Sequence, residues 1–267
     1  MTNTYPFPIS ENEFLNKRVL VTGGTKGLGA AIARRLQLSG ARVAAAARSA
    51  PTQGFGDVTY IAADLGSTSG VDHVVSRVQQ LWGGLDILIN NVGAVDPKSG
   101  GFSVLTDDDW QKVLNINLLA AVRLDRAFLP GMREQGSGAI VHISSVVGRN
   151  PFSDSTLALS AAKAALNTYS KGLAKAVARE GIQVNAVSPG FIETEGAHGM
   201  IMDISRGQGV TEDQARQMLM DMLGGIPVGS PGRPEEVAEL VAFLASSRAR
   251  FISGVNYTID GGSTPTI

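Results

Sequence analysis

Thr22-Gly23-Gly24-Thr25-Lys26-Gly27-Leu28-Gly29 is the first stretch whose residue types suggest chemistry. Its glycines allow a sharp turn and let the backbone approach a ligand closely. The stretch follows a short apolar run and opens a helical pattern. Its free N–H groups would therefore sit at a helix N-terminus, whose partial positive charge suits a pyrophosphate. Gly23, Thr25, Lys26, Gly27, Leu28 and Gly29 are accordingly candidates for holding a dinucleotide. Charge then bears on which one. Dinucleotide folds that take NAD place Asp or Glu at the end of the second strand, on the ribose hydroxyls. Here that position is Ala47 and the next residue is Arg48. Arg48 and Lys26, with no competing carboxylate, suit a 2′-phosphate and predict NADP(H).

Other reactive side chains are scarce. Cysteine is absent, which excludes a disulfide framework, a thiolate nucleophile and a thiolate metal site. Of the three histidines, His142 reads as packed, because it lies on a strand three residues before Ser145 and points to the other face. His198 reads as a solvated loop residue and His73 as part of a surface helix. No metal site is expected.

The elements that position these residues follow from periodicity. Short apolar runs at 18–22, 42–47, 58–62, 86–89, 139–143, 182–187 and 255–259 read as strands. Helical patterns intervene at 27–39, 69–81, 107–134, 157–179 and 234–246, with Thr106 as an N-cap and Pro234 at a helix start. About seven strands alternating with helices predict an α/β fold, a Rossmann-type doubly wound parallel sheet with helices on both faces. Residues 1–16 read as a polar N-terminal arm and 17–267 as one domain for dinucleotide binding and catalysis. The Met- and Gly-rich stretch at about 195–225 breaks the alternation and reads as a substrate lid. Its Met200, Ile201, Met202, Met218, Met220 and Met222 suggest a partly apolar substrate, or simple packing of the lid on the body. The formal net charge is −1, which gives no reason to expect nucleic acid or a membrane as partner. The N-terminus lacks a signal-peptide pattern and no long apolar run is present, so a cytoplasmic protein is expected.

Taken together, these motifs resemble the short-chain dehydrogenase/reductase family from about Lys17 to Ser263. TGGTKGLG resembles its glycine loop. Asp64-Leu65 resembles the pair that contacts adenine, and Asn90-Asn91-Val92-Gly93 its NNAG signature. Pro189-Gly190, with Ile192 and Thr194, resembles the stretch that closes over nicotinamide, and Asp260-Gly261-Gly262 the family's C-terminal end. The resemblance implies cofactor contacts from Asp64, Leu65, Asn91, Gly93, Lys163, Pro189, Gly190, Ile192 and Thr194. It also implies catalytic roles for Asn117, Ser145 and Lys163. The expected activity is hydride transfer between nicotinamide and a ketone or secondary alcohol, in a homodimer or homotetramer.

The family's proton donor is a Tyr four residues before the Lys, on the same helix face. Here that position is Leu159, which has no proton to give. Tyr169 is about 15 Å too far along the helix, at 1.5 Å per residue. Ser155 would lie one turn earlier, and its hydroxyl is a poor acid. The sequence leaves several readings open: an impaired or altered NADP-dependent oxidoreductase, a non-catalytic nucleotide-binding relative, a deliberate replacement of Tyr by Leu, or non-redox chemistry in the same pocket.

Overall fold

The structure is a computed structural model that describes residues 5–51, 54, 56–95, 98, 100–151, 156–222 and 224–265. Its strands are β1 (Arg18–Thr22), β2 (Arg42–Ala47), β3 (Thr59–Ala62), β4 (Ile87–Asn90), β5 (Gly138–Ile143), β6 (Ile182–Pro189) and β7 (Asn256–Ile259). All pair in parallel, in the order β3-β2-β1-β4-β5-β6-β7. The helices are α1 (Gly27–Leu38), α2 (Thr68–Trp82), α3 (Asp107–Leu114), α4 (Ala120–Gln135), α5 (Leu157–Val177), α6 (Glu195–Gln208), α7 (Glu212–Met222) and α8 (Pro234–Ala245).

Period-two alternation explains how one sheet supports two cores. Val19, Val21, Val43, Ala45, Ile87, Ile89, Val141 and Val187 face one cluster, with Ile32 and Leu36 of α1 and Val237 and Val241 of α8. Leu20, Ala44, Leu88, Ile140 and Val184 face the other, with Val74 and Val78 of α2, Leu124 and Phe128 of α4, and Val177 of α5. Both faces are covered, so the strands read as nearly continuous apolar runs. The chain reverses direction across the sheet between β1 and β4. The carboxyl ends of those two strands therefore open the crevice where such sheets bind ligands.

Three features differ from the sequence reading. The pattern at 107–134 is not one helix: a π-helical turn, Asn115–Leu119, joins α3 to α4. The stretch at 195–225 reads from the sequence only as a lid, with no elements of its own. It contains α6 and α7, joined by a small core of Ile201, Ala215 and Leu219. The arm is not uniformly polar. Phe14 is buried in the first cluster, and the Glu13 carboxylate pairs with both Arg35 and Arg248. Helix starts follow their caps: Thr106 and Asp109 form a capping box on α3, and Ser67 accepts from the Gly70 N–H on α2. Among the described residues, no helix is long and apolar enough to cross a membrane.

A fully buried polar cluster lies beneath the second face. Asp125 on α4 accepts from Asn90 Nδ2 at 2.8 Å and lies 2.9 Å from His142 Nε2 on β5. The other ring nitrogen, His142 Nδ1, is 3.0 Å from Ser170 Oγ on α5. The Tyr169 ring stands edge-on to His142, and burial together with the neighbouring Asp125 raises its phenol pKa. His142 is thus a packed residue, turned away from Ser145 as its strand parity predicts.

Candidate active site

The glycine loop follows β1 and ends in the first turn of α1. Gly23 has φ +64°, and a Cβ there would stand 2.9 Å from Asn91 Nδ2. A Cβ on Gly29 would stand 2.1 Å from the Gly23 carbonyl oxygen. Neither position accepts a side chain, so the loop can only pack this tightly as glycine. Lys26 occupies the N-cap of α1 without a side-chain cap, and the first turn holds no acid. The Lys26 side chain does not cap the N–H groups of that turn, an arrangement that suits an anion.

Thr22, the last residue of β1, fastens the loop to the end of β4. Its hydroxyl accepts from the N–H groups of Asn91 and Val92, both at 2.9 Å. Asn91 Nδ2 donates back to the Thr22 carbonyl at 2.8 Å. This clamp was not assigned from the sequence, because Thr at a strand end is also an ordinary β-former. Thr25 is buried, and Lys26 is exposed.

On the same edge, Ala47 ends β2 and Arg48 is exposed beyond it. Asp64 is exposed after β3, and its carboxylate accepts from the Gly66 N–H at 3.0 Å. Leu65, by contrast, is a core residue, 1% exposed. On the far side, Gly190 donates its N–H to the Ile259 carbonyl, and a Cβ there would stand 2.6 Å from Asp260 Cβ. The next residues are held by a bridge between Ile192 and Gly232. Thr194 caps α6 by accepting from Ala197 N–H, and a Cβ on Gly27 would touch its side chain at 3.3 Å. The segment after β6 therefore lies directly against the glycine loop.

Three of the remaining candidates converge. Asn117 sits in the π turn, a distortion that recurs at functional sites. Its Nδ2 donates to the carbonyls of Ala94 at 2.9 Å and Val113 at 3.1 Å, and its Oδ1 accepts from Ala94 N–H at 3.2 Å. Lys163, on α5, donates from Nζ to the Ile143 carbonyl at 2.8 Å. Gly93 lies between them: a Cβ there would stand 2.8 Å from Asn117 Oδ1 and 3.6 Å from Lys163 Nζ. Lys163 is buried, and desolvation brings its amine down from the ordinary lysine range to about 8. Ser145 follows β5, partly buried, and its Oγ accepts from Val147 N–H at 3.3 Å.

Leu159 occupies α5 one turn before Lys163. It packs beside Ala158, Ala162, Val113, Trp110 and Leu114, an apolar wall between α3 and α5. His198 is exposed on α6 and His73 exposed on α2. Ser155 lies outside the described residues. Among the described residues, no cluster of His, Cys, Asp and Glu could hold a metal ion.

This geometry has close parallels. A family model described as Enoyl-(Acyl carrier protein) reductase matches residues 23–264. Dehydrogenase/reductase SDR family member 4 of Oryctolagus cuniculus is 33% identical over 257 residues, covering 93% of this chain and 94% of the relative. The 3-oxoacyl-acyl-carrier-protein reductase FabG of Escherichia coli strain K12 is 34% identical, covering 93% of this chain and 98% of the relative. The crystal structure of L-sorbose reductase from Gluconobacter frateurii, complexed with NADPH and L-sorbose, matches with a TM-score of 0.88 and 31% identity. It covers 96% of this chain and 100% of that one. A glycine loop at the β1/β4 crevice, a seven-stranded parallel sheet and matches along almost the whole length lead to one conclusion: the chain belongs to the short-chain dehydrogenase/reductase family of oxidoreductases.

Proposed function

We propose that this chain binds NADP(H) and transfers hydride between it and a ketone or secondary alcohol, at a site where Leu159 stands in place of the family's phenol. The convergence of Gly93, Asn117 and Lys163 beneath the β1/β4 crevice carries the reading. The residues present fit the cofactor. The uncapped N-terminus of α1 suits its pyrophosphate, and the small residue at Gly93 leaves Lys163 Nζ approachable for its ribose hydroxyls. Arg48 and Lys26 supply positive charge for a 2′-phosphate, with Ala47 offering no carboxylate against it. When bound, the cofactor supplies the hydride. Ser145 orients the carbonyl, Asn117 fixes the Gly93–Ala94 backbone, and the segment of α6 and α7 closes over a partly apolar substrate. A panel of ketones with NADPH tests this. Absence of turnover despite cofactor binding would favour the second reading, a nucleotide-binding relative without catalysis, which Leu159 itself supports.

NADPH should bind more tightly than NADH, and Arg48→Ala should weaken NADPH alone by about 1–3 kcal/mol, the worth of a charge-assisted hydrogen bond. Calorimetric titration with both cofactors measures this. Equal affinities, or an equal loss for both, would refute the assignment of Arg48.

The outer face of α5 carries Ala161, Ala164, Thr168, Gly172 and Ala176, all exposed and small. Such a face lets helices approach closely, and α4 and α5 pair across a two-fold axis in our reading. Light scattering should then report a dimer or tetramer at micromolar concentration. A monomer would contradict it.

A further inference from the structure

We infer that the groove between α5 and the start of β7 is a second ligand site, which takes a small phosphate-bearing anion. The groove is a cavity of about 660 Å³, within the usual range for small-molecule sites. None of the residues assigned to cofactor or substrate lines it. Arg149, Lys171 and Lys175 do, all three exposed, and no Asp or Glu does. Among the described residues, none of these cations has a carboxylate partner. Lys171 and Lys175 stand one helical turn apart, where like charges oppose each other. The groove thus gathers positive charge and supplies nothing of its own to balance it.

Two of the cations are held in place. The Gly254 carbonyl accepts from Lys171 Nζ at 2.8 Å, while the Gly254 N–H donates to the Val184 carbonyl at 2.7 Å. Gly254 has φ +73°, and a Cβ there would stand 3.1 Å from both Cδ and Nζ of Lys171. Glycine therefore lets the lysine lie against the backbone at this point. Arg149 Nη2 lies 3.5 Å from the Asn256 carbonyl. Ser170 also lines the groove, its hydroxyl tied to the buried His142, so that wall is stiff. The bond to Gly254 uses one of the three donors of Lys171, which leaves two for a ligand. A phosphate group carries close to two negative charges and three acceptor oxygens. It would turn repulsion among the cations into charge-assisted hydrogen bonds, and it matches three donors better than a single carboxylate does. The hydroxyl of Thr168 and the amide of Asn167 line the same groove and suit the polar body of an organic phosphate. Ala164, Thr168 and Gly172 belong both to this groove and to the face of α5 that pairs in our reading. Two such faces repel through their cations, and a bound anion lowers that repulsion.

Calorimetric titration at low ionic strength, where screening is weak, tests the site with two probes, pyrophosphate and fructose 1,6-bisphosphate. The dinucleotide crevice is a competing place for either, so the titration is repeated in Lys26→Ala with Arg48→Ala, which removes the crevice's cations. Saturable binding should persist there. Lys171→Gln with Lys175→Gln should weaken it by about tenfold or more, as expected when charge-assisted hydrogen bonds are lost. Arg77→Gln removes an exposed charge on α2, outside the groove, and should change the affinity by less than about twofold. All of these side chains are exposed, and an unchanged urea midpoint confirms that each variant is folded. Binding of either probe in this pattern supports the site. The tighter of the two shows whether it is built for an organic or an inorganic phosphate. Loss of binding in Lys26→Ala with Arg48→Ala would place the anion in the crevice and overturn the inference. An equal loss in Arg77→Gln would reduce it to diffuse charge attraction, and the absence of saturable binding by both probes would refute it outright. None of these results bears on hydride transfer, so the oxidoreductase reading stands or falls separately.

Discussion

Replacing Leu159 with Tyr should raise the rate of carbonyl reduction by about 10²–10⁴, the usual worth of a well-placed general acid. The new phenol would stand one helical turn before Lys163, whose nearby positive charge favours the phenolate and so makes the hydroxyl a better acid. In our reading Ser145 and Asn117 complete the site. Leu159 is only partly buried, so the larger ring can extend toward the crevice without displacing Ala158 or Ala162. The developing alkoxide would gain a direct donor in a dry pocket, where a missing one is costly. The comparison is NADPH oxidation by both forms with one ketone panel, after cofactor binding is confirmed for each. A fully active Leu159 enzyme that slows on gaining Tyr would show that its chemistry never depended on a phenol.

The largest effect on stability should come from the buried cluster. Asp125→Ala removes the acceptor shared by Asn90 and His142 and strands both side chains in the interior. Breaking one partner of such a buried set typically costs about 3–5 kcal/mol. Domains of this kind have only about 5–15 kcal/mol to lose. Urea unfolding should therefore show a midpoint shifted far down with little change in slope. The double variant Asp125→Leu with His142→Phe should lose less than Asp125→Ala alone, because it keeps the space filled with apolar atoms and leaves no imidazole nitrogen stranded, although Ser170 loses its partner. A single-variant loss below about 1 kcal/mol would mean that the cluster relaxes or admits water.

Much of this architecture was legible because backbone geometry dictated residue identity. Gly23 and Gly29 can be nothing else where the Gly23 carbonyl and the Asn91 amide approach so closely. The strands announced themselves through runs that had to be apolar on both faces. Asn117, Ser145 and Lys163 were found only through resemblance, since single polar residues carry no period. What escaped the sequence had a physical reason in each case. The π turn adds one residue between two helices that are each regularly amphipathic, so the pattern looks continuous. Pro130 lies within α4 without ending it. The segment 195–225 stabilises two helices through a three-residue core too small to mark the sequence. Phe14 was hidden in a polar neighbourhood, and Asp125 looked like any charge on a helix.

The π turn also constrains how this protein can change over generations. Removing a single residue from Asn115–Leu119 would let α3 and α4 run on as one regular helix, but would rotate one relative to the other by about 100°. The face of α3 that meets α5 and the face of α4 that meets α2 and β5 could not then both be satisfied. The positions around Asn117 can exchange side chains, yet the number of residues in the turn is fixed. Descendants of this sequence should gain and lose residues elsewhere in the chain while this short stretch keeps its length.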